Sequence, residues 1–142
     1  MTEAVLRPFR VEETDIVVAL WERCGLTRPW NDPRKDVERK LRMQPELFLV
    51  AETDGGVVGT AMAGYDGHRG WVYYLAVQPD LQGRGIGRLL MAEVERLLLG
   101  LGCPKVNLLV RSTNDRAVAF YERIGYRPDA SLSLGKRLIP DD

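Results

Sequence analysis

The chain has 142 residues, of which 45% are apolar and 28% charged, with 20 Lys+Arg against 20 Asp+Glu. That length suits one domain with a sizeable core, and residues 1–142 are read as a single domain. The balanced charge excludes the broad basic surface of a nucleic-acid binder, so any anion site must be local.

In chain order, "VLRPF" (5–9) reads as a short strand, and Pro8 assigns it to an edge or a bulge. In "ETDIVVALWERCG" (13–25), Ile16, Val17, Leu20 and Trp21 form a helical stripe, and Gly25 stops it. "NDPRKDVERKLR" (31–42) opens with Asp32 as N-cap and Pro33 in the first turn. Its only apolar positions are Val37 and Leu41, so this helix is expected to be mostly exposed. "LFLVAET" (47–53) leads through "DGG" into "VVGTAMAGYD" (57–66), a hairpin signal. "GHRG" (67–70) then turns into "WVYYLAV" (71–77), which Pro79 ends.

From Gly85 to Leu101, residues Ile86, Leu89, Leu90, Val94, Leu97, Leu98 and Leu101 make one apolar helical face. "KVNLLV" (105–110) reads as a buried strand, and "NDRAVAFYERIG" (114–125) as a helix capped by Asn114 or Asp115. "SLSLGKRL" (131–138) reads as a last strand, with room for a further short one at 126–130. A hairpin run followed by a strand–helix–strand crossover implies a mixed sheet, in an α+β or α/β sandwich.

No uncharged apolar stretch reaches bilayer-spanning length, and "MTEAVLRPFRVEE" has no apolar signal-peptide core. Cys24 and Cys103 form no CxxC pair or Cys/His cluster, so no metal is expected. A cytoplasmic protein with reduced thiols is expected, without membrane or nucleic-acid partners.

The stretch "DLQGRGIGRLL" (80–90) places three glycines where a helix begins, a position at which glycine is normally a liability. Free amides of a helix N-terminus attract anions, and glycines let a phosphate sit directly on the backbone. Arg84 and Arg88 add charge with the planar fork that suits phosphate. The stretch is neither the dinucleotide GxGxxG nor a Walker loop, because the later acid and the GK[ST] ending are missing. A diphosphate seat is one reading, and a ligand-free turn is the other.

Two segments together resemble a known family. "LAVQPDLQGRGIGRLLM" (75–91) is similar to the acetyl-CoA-binding motif of the GNAT N-acetyltransferases, with Gln82, Gly85 and Gly87 at the positions of [RQ]-x-x-G-x-[GA]. "NDRAVAFYERIGY" (114–126) resembles that family's second motif, N-x-x-A-x-x-[FL]-Y-x-x-x-G-[FY]. The stretches "RPWNDP", "AGYDGHRG" and "SLGKRL" are similar to a bacterial subgroup typified by YpeA.

The resemblance implies a central twisted mixed sheet of six to seven strands flanked by about four helices. It implies acetyl-CoA as co-substrate. Leu75, Ala76 and Val77 would offer backbone to the pantetheine arm and acyl carbonyl. Gln82, Gly83, Arg84, Gly85, Ile86, Gly87 and Arg88 would hold the pyrophosphate, and Asn114 would bond the pantetheine or diphosphate. The Tyr121 hydroxyl would stand near the thioester sulfur as general acid, its ordinary pKa near 10 keeping it protonated at neutral pH. A backbone N–H near Ala76 or Val77 would stabilise the developing oxyanion.

The base stays open among Glu22, Glu52, Asp66 and His68. For the acceptor, Trp30, Tyr73 and Asp66 are the candidate contacts. Asp32 serves as helix cap or as attractor of a cation, and Tyr73 and Tyr74 should alternate between site and core. The acceptor would be an amine-bearing small molecule or a peptide. Three activities remain: a small-amine acetyltransferase, a protein N-terminal or lysine acetyltransferase, and a non-catalytic acyl-CoA-binding module. The last strand could pair with a second copy of the chain to make a homodimer.

Overall fold

The computed structural model describes residues 3–141. Five strands and four helices follow in the order β1 (Val5–Pro8), α1 (Thr14–Arg23), α2 (Pro33–Lys40), β2 (Phe48–Thr53), β3 (Gly56–Tyr65), β4 (Gly70–Val77), α3 (Ile86–Gly100), β5 (Val106–Leu108) and α4 (Asp115–Arg123). The sheet runs β1-β2-β3-β4-β5, antiparallel throughout except for the parallel β4–β5 pair. It is the expected mixed α/β architecture.

The local signals act as the residue types require. Pro8 lies on the edge strand β1, where its missing N–H leaves no ladder gap. Asp32 accepts the Arg34 N–H at 2.9 Å and caps α2, with Pro33 in the first turn. Gly56, at φ +104°, closes the β2–β3 hairpin.

Both faces of the sheet are covered. Phe48 and Val50 of β2 point with Met62 and Ala76 into a cluster under α1 and α2, formed with Val17, Val18, Leu20, Trp21 and Val37. The alternate residues Leu49 and Ala51 face Leu90, Met91, Val94 and Leu98 of α3. Strands buried on both faces read as unbroken apolar runs, which explains "LFLVA". On α3, Met91 is buried although the helical stripe omits it, while Leu89 (49% exposed) and, just past the helix, Leu101 (52% exposed) face outwards. Ile16 of α1 is also exposed, and Val18 takes its place in the core.

Three expectations are corrected. β5 has only three residues, all half-buried, where 105–110 suggested a longer buried strand. Residues 126–130 and 131–138 form no strand, so the sheet has five strands among the described residues. The alternation in "SLSLGKRL" imitates a strand, but Leu132 and Leu134 are about nine-tenths exposed and the segment lies off the sheet. Three residues beyond it, the Asp141 carboxylate accepts the Asp32 N–H at 2.7 Å and pairs with Arg39 at 2.6 Å.

Candidate active site

A bulge sets the geometry of β4. Between Tyr73 and Ala76 it carries one residue more than β3 does between Met62 and Thr60, and Tyr74 adopts φ +52°. A buried relay holds this turn: Trp21 Nε1–H donates to Thr60 Oγ1 at 2.9 Å, and the Thr60 hydroxyl donates to the Tyr74 carbonyl at 2.7 Å. The bulge also breaks the expected alternation. Tyr74 stacks on Trp21 with ring centroids 3.8 Å apart, while both Tyr73 and Tyr74 line one cleft.

That cleft exists because the central strands part. β5 pairs with β4 only from Gly70 to Val72. β4 continues to Val77, whereas the chain after Leu108 leaves the sheet towards α4. The resulting space, of about 1090 Å³, is walled by Met62, Ala63, Tyr73, Tyr74 and Leu75 of the sheet. Arg28, Asn31, Asp36, Arg39 and Lys40 form a second wall, and Asn114, Ala117 and Tyr121 a third. A neighbouring cavity of about 1110 Å³ shares Tyr73, Leu109, Val110, Tyr121 and Ser133 with it. Tyr121 therefore stands in the partition between the two.

Along the open edge of β4, a backbone donor faces the gap. The Gln78 N–H bonds to the Val58 carbonyl of β3 at 2.8 Å. Successive amides of a strand point to opposite edges, so the Val77 N–H faces away from β3. Ala76 turns the other way, and its side chain packs under α1 and α2. The Val77 carbonyl accepts from Gln82 Nε2 at 3.0 Å and from the Cys24 thiol at 3.3 Å.

The glycine loop adjoins this edge. Gly83 and Gly85 have φ of +82° and +90°, which side-chain-bearing residues rarely adopt. The first intrahelical bond of α3 runs from Leu89 N–H to the Gly85 carbonyl at 3.0 Å, which leaves the amides of Ile86, Gly87 and Arg88 without helical partners. A Cβ on Gly87 would lie 3.3 Å from Phe120 Cζ and 3.7 Å from Val77 Cγ2. Glycine there lets the helix start close against both β4 and α4.

A sequence model of the acetyltransferase (GNAT) family matches residues 14–126, which contain the parted strands, the glycine loop and Tyr121. The chain belongs to the GNAT family. An acetyltransferase of Pectobacterium atrosepticum is 52% identical over 136 residues, 96% of each chain. Ard1 from Thermoplasma volcanium superposes with a TM-score of 0.81 at 26% identity, covering 90% of this chain and 85% of that one. The aminoglycoside N-acetyltransferase AAC(6')-Iy, solved with CoA, shares the fold at TM-score 0.78 and 16% identity, covering 98% and 97% of the two chains. This GNAT chain is an N-acetyltransferase.

In the GNAT chain, burial is the sole cause that pushes the Tyr121 hydroxyl up to about 12. Its ring meets Phe120 and Tyr126 edge-on, with centroids 5.1 and 5.8 Å away. Asn114 lines the cleft and caps α4, its Oδ1 accepting the Ala117 N–H at 3.1 Å.

Other sequence candidates lie elsewhere. Trp30 is 59% exposed and outside the cleft wall. Asp66 accepts the His68 and Arg69 N–H groups, each at 2.8 Å, within the β3–β4 turn. Glu52 pairs with Arg7 at 3.3 Å, and neither Glu22 nor His68 reaches the cleft.

Sequence reasoning missed the polar face of α2. Asp36, Arg39, Lys40 and Met43 follow i, i+3, i+4, i+7 spacing, and all four line the cleft. The spacing was visible, but polar residues on an apparently exposed helix gave no reason to expect a cavity. Asp36 Oδ2 accepts from Asn31 Nδ2 at 2.6 Å and from the Tyr74 hydroxyl at 2.8 Å, and Oδ1 accepts from Arg39 at 3.2 Å. Burial and the Asp36 carboxylate together raise the Tyr74 phenol well above its ordinary value. No helix among the described residues is long and apolar enough to cross a membrane.

Proposed function

We propose that this N-acetyltransferase moves the acetyl group of acetyl-CoA directly onto a primary amine, within one cytoplasmic domain, and that its acceptor is a small molecule. The observation that carries this reading is Tyr121, which lines both the cleft on which Leu75 also borders and the neighbouring cavity. Family membership supports acetyl-CoA as the acyl donor. When bound, it supplies the activated thioester.

The chain's own groups then divide the work. The amides of residues 83–88 and the Arg84 and Arg88 guanidinium groups bind the linked phosphates. Gly83 and Gly85 hold the loop open, and the absent Cβ of Gly87 seats it against Phe120. Gln82 holds the Val77 carbonyl in place, and Ile86 packs the first turn of α3 into the core. The gap-facing N–H of Val77 aligns the pantetheine arm and receives the charge that builds on the acyl oxygen. Asn114 uses Oδ1 as a cap, which leaves Nδ2 to donate to the coenzyme. Tyr121 keeps its proton and delivers it to the departing sulfur.

The amine must arrive without its proton. Asp36 is the only carboxylate on the cleft wall among the described residues, and three donors already engage it. A wall without a disengaged base favours an α-amine, with pKa near 8, over a lysine amine near 10.4. A thermal-shift titration with acetyl-CoA, followed by acetyl transfer to a panel of α-amines, lysine amines and peptides, tests the proposal. Stabilisation with transfer to small α-amines is expected. Stabilisation without transfer to any amine would assign a binding module instead.

A further inference from the structure

The acceptor wall carries cations that no carboxylate answers. Arg39 is matched by Asp36 and Asp141. Arg28 donates only to the Gly25 and Thr27 carbonyls, at 2.8 and 2.7 Å. Lys40 donates to the Ala63 carbonyl. Neither cation has a carboxylate partner among the described residues, and Asp36 is already engaged by three other donors. Glu46, on the turn beyond α2, acts on Lys40 only through space. Lys40 is also half-buried, and desolvation lowers its ammonium below the ordinary value. A half-buried cation hydrogen-bonded only to a neutral carbonyl is poorly compensated, and an incoming anion would stabilise it.

Position adds a length. Lys40 reaches the wall at Ala63, which pairs with Val72. Leu75, where the amine would meet the acyl group, lies three residues further along a strand that the bulge at Tyr74 shortens, a span of at most about 10 Å. Met43, Met62 and Tyr73 line the cleft as well and make an adaptable, largely apolar wall.

We infer that the acceptor is an elongated small molecule with an α-amine at one end and an anionic group, carboxylate or phosphate, at the other, which Arg28 and Lys40 receive. This rests on the small-molecule acetyltransferase reading above. A free di- or tripeptide has this shape, and its terminal carboxylate distinguishes it from the N-terminus of a long chain.

The experiment compares kcat/KM for acetyl transfer to free tripeptides, to the same tripeptides as C-terminal amides, and to an amine of similar length ending in phosphate. The free acid is expected to exceed its amide by about tenfold or more, as a charge-assisted contact would give. If the phosphate-ended amine outruns the carboxylate, phosphate is the anion; the reverse ranking assigns carboxylate. Lys40→Met and Arg28→Gln should each pull the acid-to-amide ratio towards one, and Lys40→Arg should keep most of it. Melting temperature and the Kd for acetyl-CoA confirm that each variant is folded. Equal rates for acid and amide in the unaltered enzyme would overturn the inference yet leave the acetyltransferase reading intact. Transfer to no amine despite acetyl-CoA binding would overturn both.

Discussion

At Tyr121 one hydroxyl sits in a wall of aromatic rings, and burial alone raises it to about 12. An acid with a raised pKa keeps its proton over a wider range, so the sign favours donation at neutral and moderately basic pH. The kcat profile should show no loss assignable to this phenol until pH approaches 12. Tyr121→Phe should lower kcat by about a hundredfold and leave the Kd for acetyl-CoA unchanged. An unaltered kcat would remove the assignment.

Thr60 is the second decisive residue, fully buried and serving Trp21 and Tyr74 at once. Thr60→Val would strand the Trp21 N–H and release the bulge. A loss of about 1–3 kcal/mol is expected, read from the urea midpoint. Nothing in "VVGTAMAGYD" marks this threonine, because its partners come from residues 39 and 14 positions away in the chain.

Among the elements, α3 and β5 do most to place the site. The glycine loop was legible, since glycines at a helix mouth need a reason and two of them hold positive φ. Gly85→Ala would force a side chain into φ +90°, with strain of about 1–2 kcal/mol. A lower melting temperature is expected, together with roughly tenfold weaker acetyl-CoA binding by calorimetry. Unchanged binding would mean that the loop is no phosphate seat. β5 was less legible. "KVNLLV" has the composition of a six-residue strand, but its pairing ends at Leu108. Where two strands diverge depends on what packs between them, and propensity carries no record of that. The polar face of α2 was misjudged for a related reason, as its spacing shows a face but not what that face meets.

For the molecule as a whole, the segment from Gly125 to Asp141 crosses from α4 to α2 and is tied by charge near each end. Lys105 pairs with Asp129 at 3.0 Å, and Arg39 pairs with Asp141 at 2.6 Å. The Arg39 guanidinium, helped by the Asp32 N–H, lowers the Asp141 carboxyl from 3.8 to about 2. A depressed carboxyl stabilises the fold above its ordinary value and loses that effect as pH falls through the folded one. Asp141→Asn should therefore lower the melting temperature near neutral pH. The gap to the unaltered protein should narrow as pH drops from about 4 and close only below about 2. A gap independent of pH would show that Asp141 holds the segment by packing rather than by charge.

Chain order, the hairpin, the helix caps and both family motifs were decided by local chemistry. Capping, turn formation and helical stripes depend on neighbours within a few positions, so the sequence alone determined them, and with them the family. The gap between β4 and β5, the bulge at Tyr74, the cationic wall of α2 and the course of the last segment depend on contacts between distant residues. Only tertiary packing brings Lys40 to Ala63, Trp21 to Thr60 and Asp141 to Arg39. The glycine loop and the Tyr121 motif were therefore readable from the chain, while the shape and charge of the cleft wall came from the fold.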